Sequence, residues 1–145
     1  MKTKILLINP NKWGRGITTI WIASHSGCLK KSGHNVELFD ATFYKNWTDS
    51  ELEINTKNKQ FLKTDYLKKI KWNKNDIKKD LEERIKQFSP DIIFSSALSS
   101  HIHGEGEYIN IQYAYELLKN IKHSAKIIFA GLQPTIAAIR AKKQI

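Results

Sequence analysis

One cysteine, three prolines and seven glycines in 145 residues leave little from which to build a cross-linked or loop-dominated protein. A single thiol excludes an internal disulfide framework. The chain also lacks any apolar run near the ~20 residues that cross a bilayer. Its longest are short, such as Ile5-Leu6-Leu7-Ile8, so no membrane partner is expected. Two lysines precede that run and Asn9-Pro10 ends it, which is too short for the apolar core of a signal peptide. With one thiol and no such signal, a reducing cytoplasm is the expected setting. Acidic residues are the other shortage: 14 against 24 Lys and Arg, a formal charge of +10. That balance permits a polyanionic partner. Most of the excess is lysine scattered among acids, as at Lys57, Lys59, Lys63, Lys68, Lys69, Lys71, Lys74, Lys78 and Lys79. No arginine cluster or aromatic–basic stacking motif accompanies it, so it reads as a solvated face rather than a nucleic-acid site.

What is present is globular: 41% hydrophobic, 10% aromatic and 26% charged residues, in a length that suits one domain over residues 1–145. Continuous apolar runs bounded by breakers suit strands covered on both faces. Four qualify: β1 at Lys4–Asn9, β2 at Val36–Asp40, β3 at Pro90–Ser96 and β4 at Lys126–Gly131. Helical patterns separate them. Thr18–Lys31 (α1) carries Ile20, Ile22, Ala23, Gly27, Cys28 and Leu29 and closes on Lys30, Lys31, Ser32, Gly33, a helix stop. Asn75–Phe88 (α2) spaces Ile77, Leu81, Ile85 and Phe88 as one stripe, and Glu107–Ile121 (α3) repeats this with Ile111, Ala114, Leu117, Leu118 and Ile121. Residues 42–74 are the least regular and read as an insert within the domain. Tyr66, Leu67 and Ile70 suggest a helical turn there, and Trp47 and Trp72 a cover for the sheet edge. Strands alternating with helices imply right-handed crossovers and a parallel sheet. A short helix is expected after β4, and no fifth strand is visible. The chain therefore reads as the front part of a longer protein, with an open edge that invites pairing with a fusion partner or a second copy.

In such sheets ligands lie beyond the carboxyl ends of the strands, near the switch point. The loops at that edge are Asn9-Pro10-Asn11-Lys12-Trp13-Gly14-Arg15-Gly16, Ser95-Ser96-Ala97-Leu98-Ser99-Ser100-His101-Ile102-His103-Gly104 and Gly131-Leu132-Gln133-Pro134-Thr135. All are rich in residues that allow close backbone approach or supply hydroxyl and amide hydrogen bonds. Tight helix–strand connections use the same residues, so one loop alone says little. Asn9 and Ser95/Ser96 stand where a phosphoacceptor domain needs acids. A Walker A loop is absent. Gly14-x-Gly16-x-x-Thr19 with Asp40 approaches the dinucleotide fingerprint, but Thr19 replaces the third glycine and four residues separate the first from the strand. His101-x-His103 lacks further metal ligands nearby. His25 and His34 read as surface or capping residues, and Cys28 as a buried, inert thiol. No catalytic residue and no metal ligand is assigned.

Taken in order, several of these segments resemble the cobalamin-binding domain at the N-terminus of B12-dependent radical SAM proteins. They are Lys4–Pro10, Leu29–Asp40, Ser89-Pro90-Asp91-Ile92-Ile93 and Gly131-Leu132-Gln133-Pro134-Thr135, and together they span Lys4 to about Thr135. The resemblance implies a flavodoxin-like Rossmann three-layer α/β fold, sheet order 2-1-3-4, cupping a corrinoid. In the wider family the β1 loop carries Asp-x-His-x-x-Gly, whose His is the lower cobalt ligand. Here Asn9 and Asn11 replace Asp and His, while Gly14 is kept. That implies cobalamin bound base-off, without a histidine ligand from this loop. Ser96-Ala97-Leu98 matches the family's Ser-x-Leu, and Ala130-Gly131 its Gly-Gly with one glycine replaced. The cofactor-binding residues so implied are Asn9, Pro10, Asn11, Trp13, Gly14, Arg15, Gly16, Ser96, Ala97, Leu98, Ser99, Ala130, Gly131, Gln133 and Pro134. In this picture the nucleotide tail threads between the ends of β1 and β3, and Trp13 lies against the corrin.

The iron–sulfur cluster of radical SAM enzymes needs three cysteines, and this chain has only Cys28. These residues would form a binding module, and a separate radical SAM catalytic domain would be its partner, with methyl transfer the expected reaction of the parent. Two other readings remain. Gly14-Arg15-Gly16 and Lys30–Val36 are also similar to the first βαβ unit of a two-domain glycosyltransferase. The substituted motifs and missing fifth strand also suit an interaction domain that binds no ligand.

Overall fold

A computed structural model describes residues 2–12, 20–45, 48, 50, 53–54, 57, 69–96 and 105–130. The described elements run β1 (Lys4–Asn9), α1 (Ile20–Lys31), β2 (Asn35–Asp40), α2 (Ile77–Phe88), β3 (Ile92–Ser96), α3 (Glu105–Leu118) and β4 (Lys126–Ala130). The strands form one sheet in the order β2-β1-β3-β4, and every pairing is parallel.

The unbroken apolar run of β1 follows from its central place. Leu6 and Ile8 face one side, packed with Leu81, Ile85 and Phe88 of α2 and Leu117 and Leu118 of α3. Ile5 and Leu7 face the other, packed with Trp21 and Ile22 of α1 and with Val36. Leu6, Leu7 and Ile8 have no exposed surface. Burying each such side chain stabilises the fold by roughly 1.5–3 kcal/mol. With helices on both faces and this strand order, the chain has the three-layer α/β architecture of flavodoxin-like Rossmann folds.

Local chemistry sets the element ends. Gly33, at φ 85°, closes α1 and donates its N–H to the Lys30 carbonyl at 3.0 Å. Asp76 caps α2, its carboxylate accepting from the N–H groups of Lys78 and Lys79 at 2.9 and 3.4 Å. Ser89 ends α2 in the left-handed region, and Pro90 cannot continue the helix. β3 starts at Ile92, because Pro90 and Asp91 form the connection: Asp91 accepts the Lys4 N–H and donates its own to the Lys4 carbonyl. α3 stops at Leu118, three residues short of the sequence expectation. Its last turn tightens there, with the Ile121 N–H on the Leu118 carbonyl at 2.9 Å.

Two expectations are corrected. Cys28 is exposed, not buried. The face of α1 that meets the sheet runs through Trp21, Ile22, His25 and Leu29, and this turns Ala23, Gly27 and Cys28 outward. β4 is not covered on both faces: Ile127 is 39% exposed and Ile128 is 42% exposed. They pair with Ile93 and Phe94, whose side chains point to opposite sides of the sheet, so both described layers thin out at this strand. The insert leaves and rejoins the domain at one place, where Tyr44 and Asn73 form an isolated parallel bridge and the Asn73 N–H donates to the Phe43 carbonyl at 2.8 Å. Residues 131–145, where a short helix is expected, lie outside the described residues.

Candidate functional site

In the order 2-1-3-4 the chain winds outward in both directions from the pair β1 and β3, so the switch point lies between their carboxyl ends. Asn9, Pro10, Ser95 and Ser96 are buried there; Asn9 is 4%, Ser95 3% and Ser96 5% exposed. A sheet edge of buried small or polar residues is unlike the apolar strand interiors beneath it. Ser96 pairs in register with Ala130 of β4, so bulk is also absent one strand further on.

A hydrogen-bonded network fixes the start of the β1 loop. Asn9 and Asp40 are register partners, and Asn9 Nδ2 donates to Asp40 Oδ1 at 2.9 Å. Thr42 donates to the same oxygen from its N–H at 3.0 Å and from Oγ1 at 2.6 Å. Asn9 Nδ2 also reaches Thr42 Oγ1 at 3.3 Å, and Asn11 Nδ2 donates to it at 2.7 Å. Asn11 holds φ 33°, a backbone region that Asn tolerates better than most residues. The amides of Asn9 and Asn11 thus face the end of β2. On the other side, the Lys12 N–H donates to Asn110 Oδ1 of α3 at 2.8 Å, and the Lys12 ammonium lies 5.0 Å from the Tyr113 ring centre. The loop is clamped from both flanks before it enters residues 13–19.

Of the residues implied by the resemblance, Asn9, Pro10, Asn11, Ser96 and Ala130 stand at this edge. Trp13, Gly14, Arg15, Gly16, Ala97, Leu98, Ser99, Gly131, Gln133 and Pro134 lie outside the described residues, as do His101 and His103. The sequence reading missed Thr42, Asn110 and Tyr113. Thr42 had a readable signal: it lies two residues after Asp40, the spacing at which a hydroxyl turns back to a carboxylate. The two α3 residues had none.

Asp40 Oδ1 accepts three hydrogen bonds, which ties this carboxylate to Asn9 and Thr42. Among the described residues, no group of three or more His, Cys, Asp or Glu is placed to hold a metal. No helix among them is long and apolar enough to cross a membrane. His25 is not a surface cap. It packs against Trp21 and Phe94 with ring centres 5.8 and 5.3 Å away. His34 Nδ1 accepts the Thr3 N–H at 3.4 Å, away from this edge.

A cavity of about 360 Å³ lies on the outer side of β2 against α2, and Asp40 is among the residues that line it. Two of its lining residues, Tyr44 and Asp80, bond each other. Tyr44 Oη and Asn75 Nδ2 donate to Asp80 Oδ2 at 2.7 and 3.0 Å, and Arg84 pairs with Glu37 at 3.1 Å. Partial burial and this hydrogen bond push the Tyr44 hydroxyl up to about 12, and the same contact holds the Asp80 carboxyl below its ordinary value. The Tyr44–Asp80 contact braces the neck of the insert beside the Tyr44–Asn73 bridge.

No protein-family model matches the chain, and no curated protein matches it in sequence.

Proposed function

We propose that the chain is the cofactor-holding module of a corrinoid-dependent enzyme, binding cobalamin base-off at the carboxyl edge of its sheet. One observation carries the reading: the switch point between β1 and β3 is floored by buried Asn9, Ser95 and Ser96 instead of bulky apolar residues. Small polar residues in that place suit the approach of a slender nucleotide tail. Ser96 would hydrogen-bond the tail, and the small Ala130 would leave it room. The position at which the family carries a lower-ligand His holds Asn11, whose amide donates to Thr42. Lower ligation from this position is therefore not part of the reading. A bound corrinoid would supply alkyl-transfer chemistry at cobalt, and this chain would supply binding and orientation. The partner would be a radical SAM catalytic domain bearing its own iron–sulfur cluster, in the cytoplasm. It, or a second copy of the chain, would pair at the open edge of β4.

The test is an absorbance titration with hydroxocobalamin followed by desalting. Retained corrinoid with a spectrum lacking nitrogenous lower ligation is the expected result. Ser96→Trp puts bulk where the tail would pass and is expected to abolish retention, with circular dichroism checking that the variant is folded. Corrinoid lost on desalting, or held equally well by the Ser96→Trp variant, overturns the reading. Sugar-nucleotide binding would then be the next assay.

A further inference from the structure

The cavity of about 360 Å³ beside β2 is bounded by Leu38, Phe39 and Asp40, consecutive residues of one strand. Successive strand side chains point to opposite faces of a sheet. A space that touches all of them therefore runs along the side of β2, not over either face. Among the described residues no strand pairs with that side, since β2 ends the sheet order β2-β1-β3-β4.

The backbone of β2 is turned toward this space. The Asn35 N–H donates to the Thr3 carbonyl and the Ala41 N–H to the Asn9 carbonyl, each at 2.9 Å. Bonds to one neighbour fall on every second residue, so Asn35, Glu37, Phe39 and Ala41 face β1. Val36, Leu38 and Asp40 then present their N–H and C=O groups outward. The opposite wall is α2. Asp80, Glu83, Arg84 and Gln87 follow helical spacing along one flank, while Leu81, Ile85 and Phe88 bury the other. A strand edge and a polar helix flank thus bound one groove.

Charge decides what fits it. The carboxylates of Asp40, Asp80 and Glu83 line the groove against one guanidinium, that of Arg84. Arg84 is paired with Glu37 at 3.1 Å. Asn9 and Thr42 on Asp40, and Tyr44 and Asn75 on Asp80, are neutral donors and cancel neither charge. The groove is acidic on a chain of net charge +10. Charges at an edge ordinarily keep other strands away. Charges of one sign do so selectively, repelling acidic segments and drawing basic ones.

We infer that this groove is a docking site for an extended, lysine- or arginine-bearing segment of a partner protein, which adds as a strand to β2 and lays its basic side chains along α2. The added main chain would lie about 4.8 Å from β2. Bonds to the outward groups of Leu38 and Asp40 would supply affinity, and the carboxylates would supply selectivity. The inference does not depend on the corrinoid reading.

The test uses the full chain and short fluorescein-labelled peptides. One alternates valine with lysine, and one alternates valine with glutamate. A further copy of the lysine peptide is N-methylated throughout, which keeps its charge and removes its pairing N–H groups. Only the unmethylated lysine peptide should bind. In ¹⁵N–¹H spectra the amides of Leu38 and Asp40 should then gain protection from exchange. A variant carrying both Glu83→Lys and Gln87→Lys, at exposed positions of α2 outside the core, should bind about tenfold more weakly, the scale of one charge-assisted contact. A lysine peptide that does not bind overturns the inference. Equal binding of the N-methylated copy or of the glutamate peptide does so too, because strand pairing or charge selection would then be absent. Protection that appears at Ile127 and Ile128 instead would place the contact on β4 and overturn it as well.

Discussion

Asn11 donates its side-chain amide to the hydroxyl of Thr42 at 2.7 Å, joining the turn after β1 to the turn after β2. The hydroxyl passes the link on to Asp40, which also accepts from Asn9. One threonine thus connects both asparagines of the loop to the neighbouring strand.

Thr42→Val keeps the shape and removes the hydroxyl. Thr42 is 9% and its partner Asn9 4% exposed, so the Asn9 amide would lose a partner where water has little access. The expected cost is about 1–3 kcal/mol. It would be read as a lower urea midpoint with an unchanged slope. Thr42→Ser, which restores the hydroxyl, should recover most of the loss. A Thr42→Val protein as stable as the parent would show that the network is not needed for the fold.

The Tyr44–Asp80 contact predicts how stability depends on pH. The Tyr44 hydroxyl is raised from 10.0 to about 12, first by burial and then by its bond to Asp80. Its contribution is therefore fully present below pH 10 and is lost as pH rises through about 12. Asp80 is shifted the other way, chiefly by the Tyr44 hydrogen bond. Its contribution is present above the ordinary value of 3.8 and is lost as pH falls through its lowered value. Thermal melts of the parent and of Tyr44→Phe should differ most near neutrality. The gap should close at both extremes, and a constant gap across pH would contradict the assignment.

Core and edge should respond differently to truncation. Leu81 is fully buried between β1 and α3, so Leu81→Ala should cost about 2–5 kcal/mol. Ile127 is 39% exposed on the outer strand. Ile127→Ala leaves no closed cavity and should cost less than half as much. Denaturant titrations of the two variants measure the contrast.

The fold was legible because its signals are local. Ile5 to Ile8 form an unbroken apolar run because both faces of β1 are covered, and Leu81, Ile85 and Phe88 recur because one side of α2 is. The Gly33 stop is likewise local backbone geometry. Cys28 was misplaced because the small residues Ala23, Gly27 and Cys28 mimic an apolar stripe, while the face of α1 is set by the bulk of Trp21 and Leu29 and by the orientable ring of His25. Asn9 and Asn11 could be read as site residues from their loop. Their partners Asp40 and Thr42, about thirty residues away, depend on strand register. The tie from Lys12 to Asn110 spans ninety-eight residues and has no sequence signature.

The β4 edge gives the last prediction. Parallel strands are normally buried on both faces, yet Ile127 and Ile128 look to opposite sides and are both about two-fifths exposed. Lys126-Ile127-Ile128-Phe129-Ala130 combines strong strand formers with one charge at its end. Natural sheets protect such edges with charge, proline or a covering element. Without a partner domain, the chain should self-associate through this strand as concentration rises. Sedimentation velocity should show the shift for the parent chain. A variant carrying both Ile127→Lys and Ile128→Lys should stay monomeric over the same range and keep its helical and strand signal in circular dichroism, because neither residue is part of the closed core. Association that persists in that variant would place the contact elsewhere. A parent chain that stays monomeric at high concentration would show that this edge does not recruit a second copy.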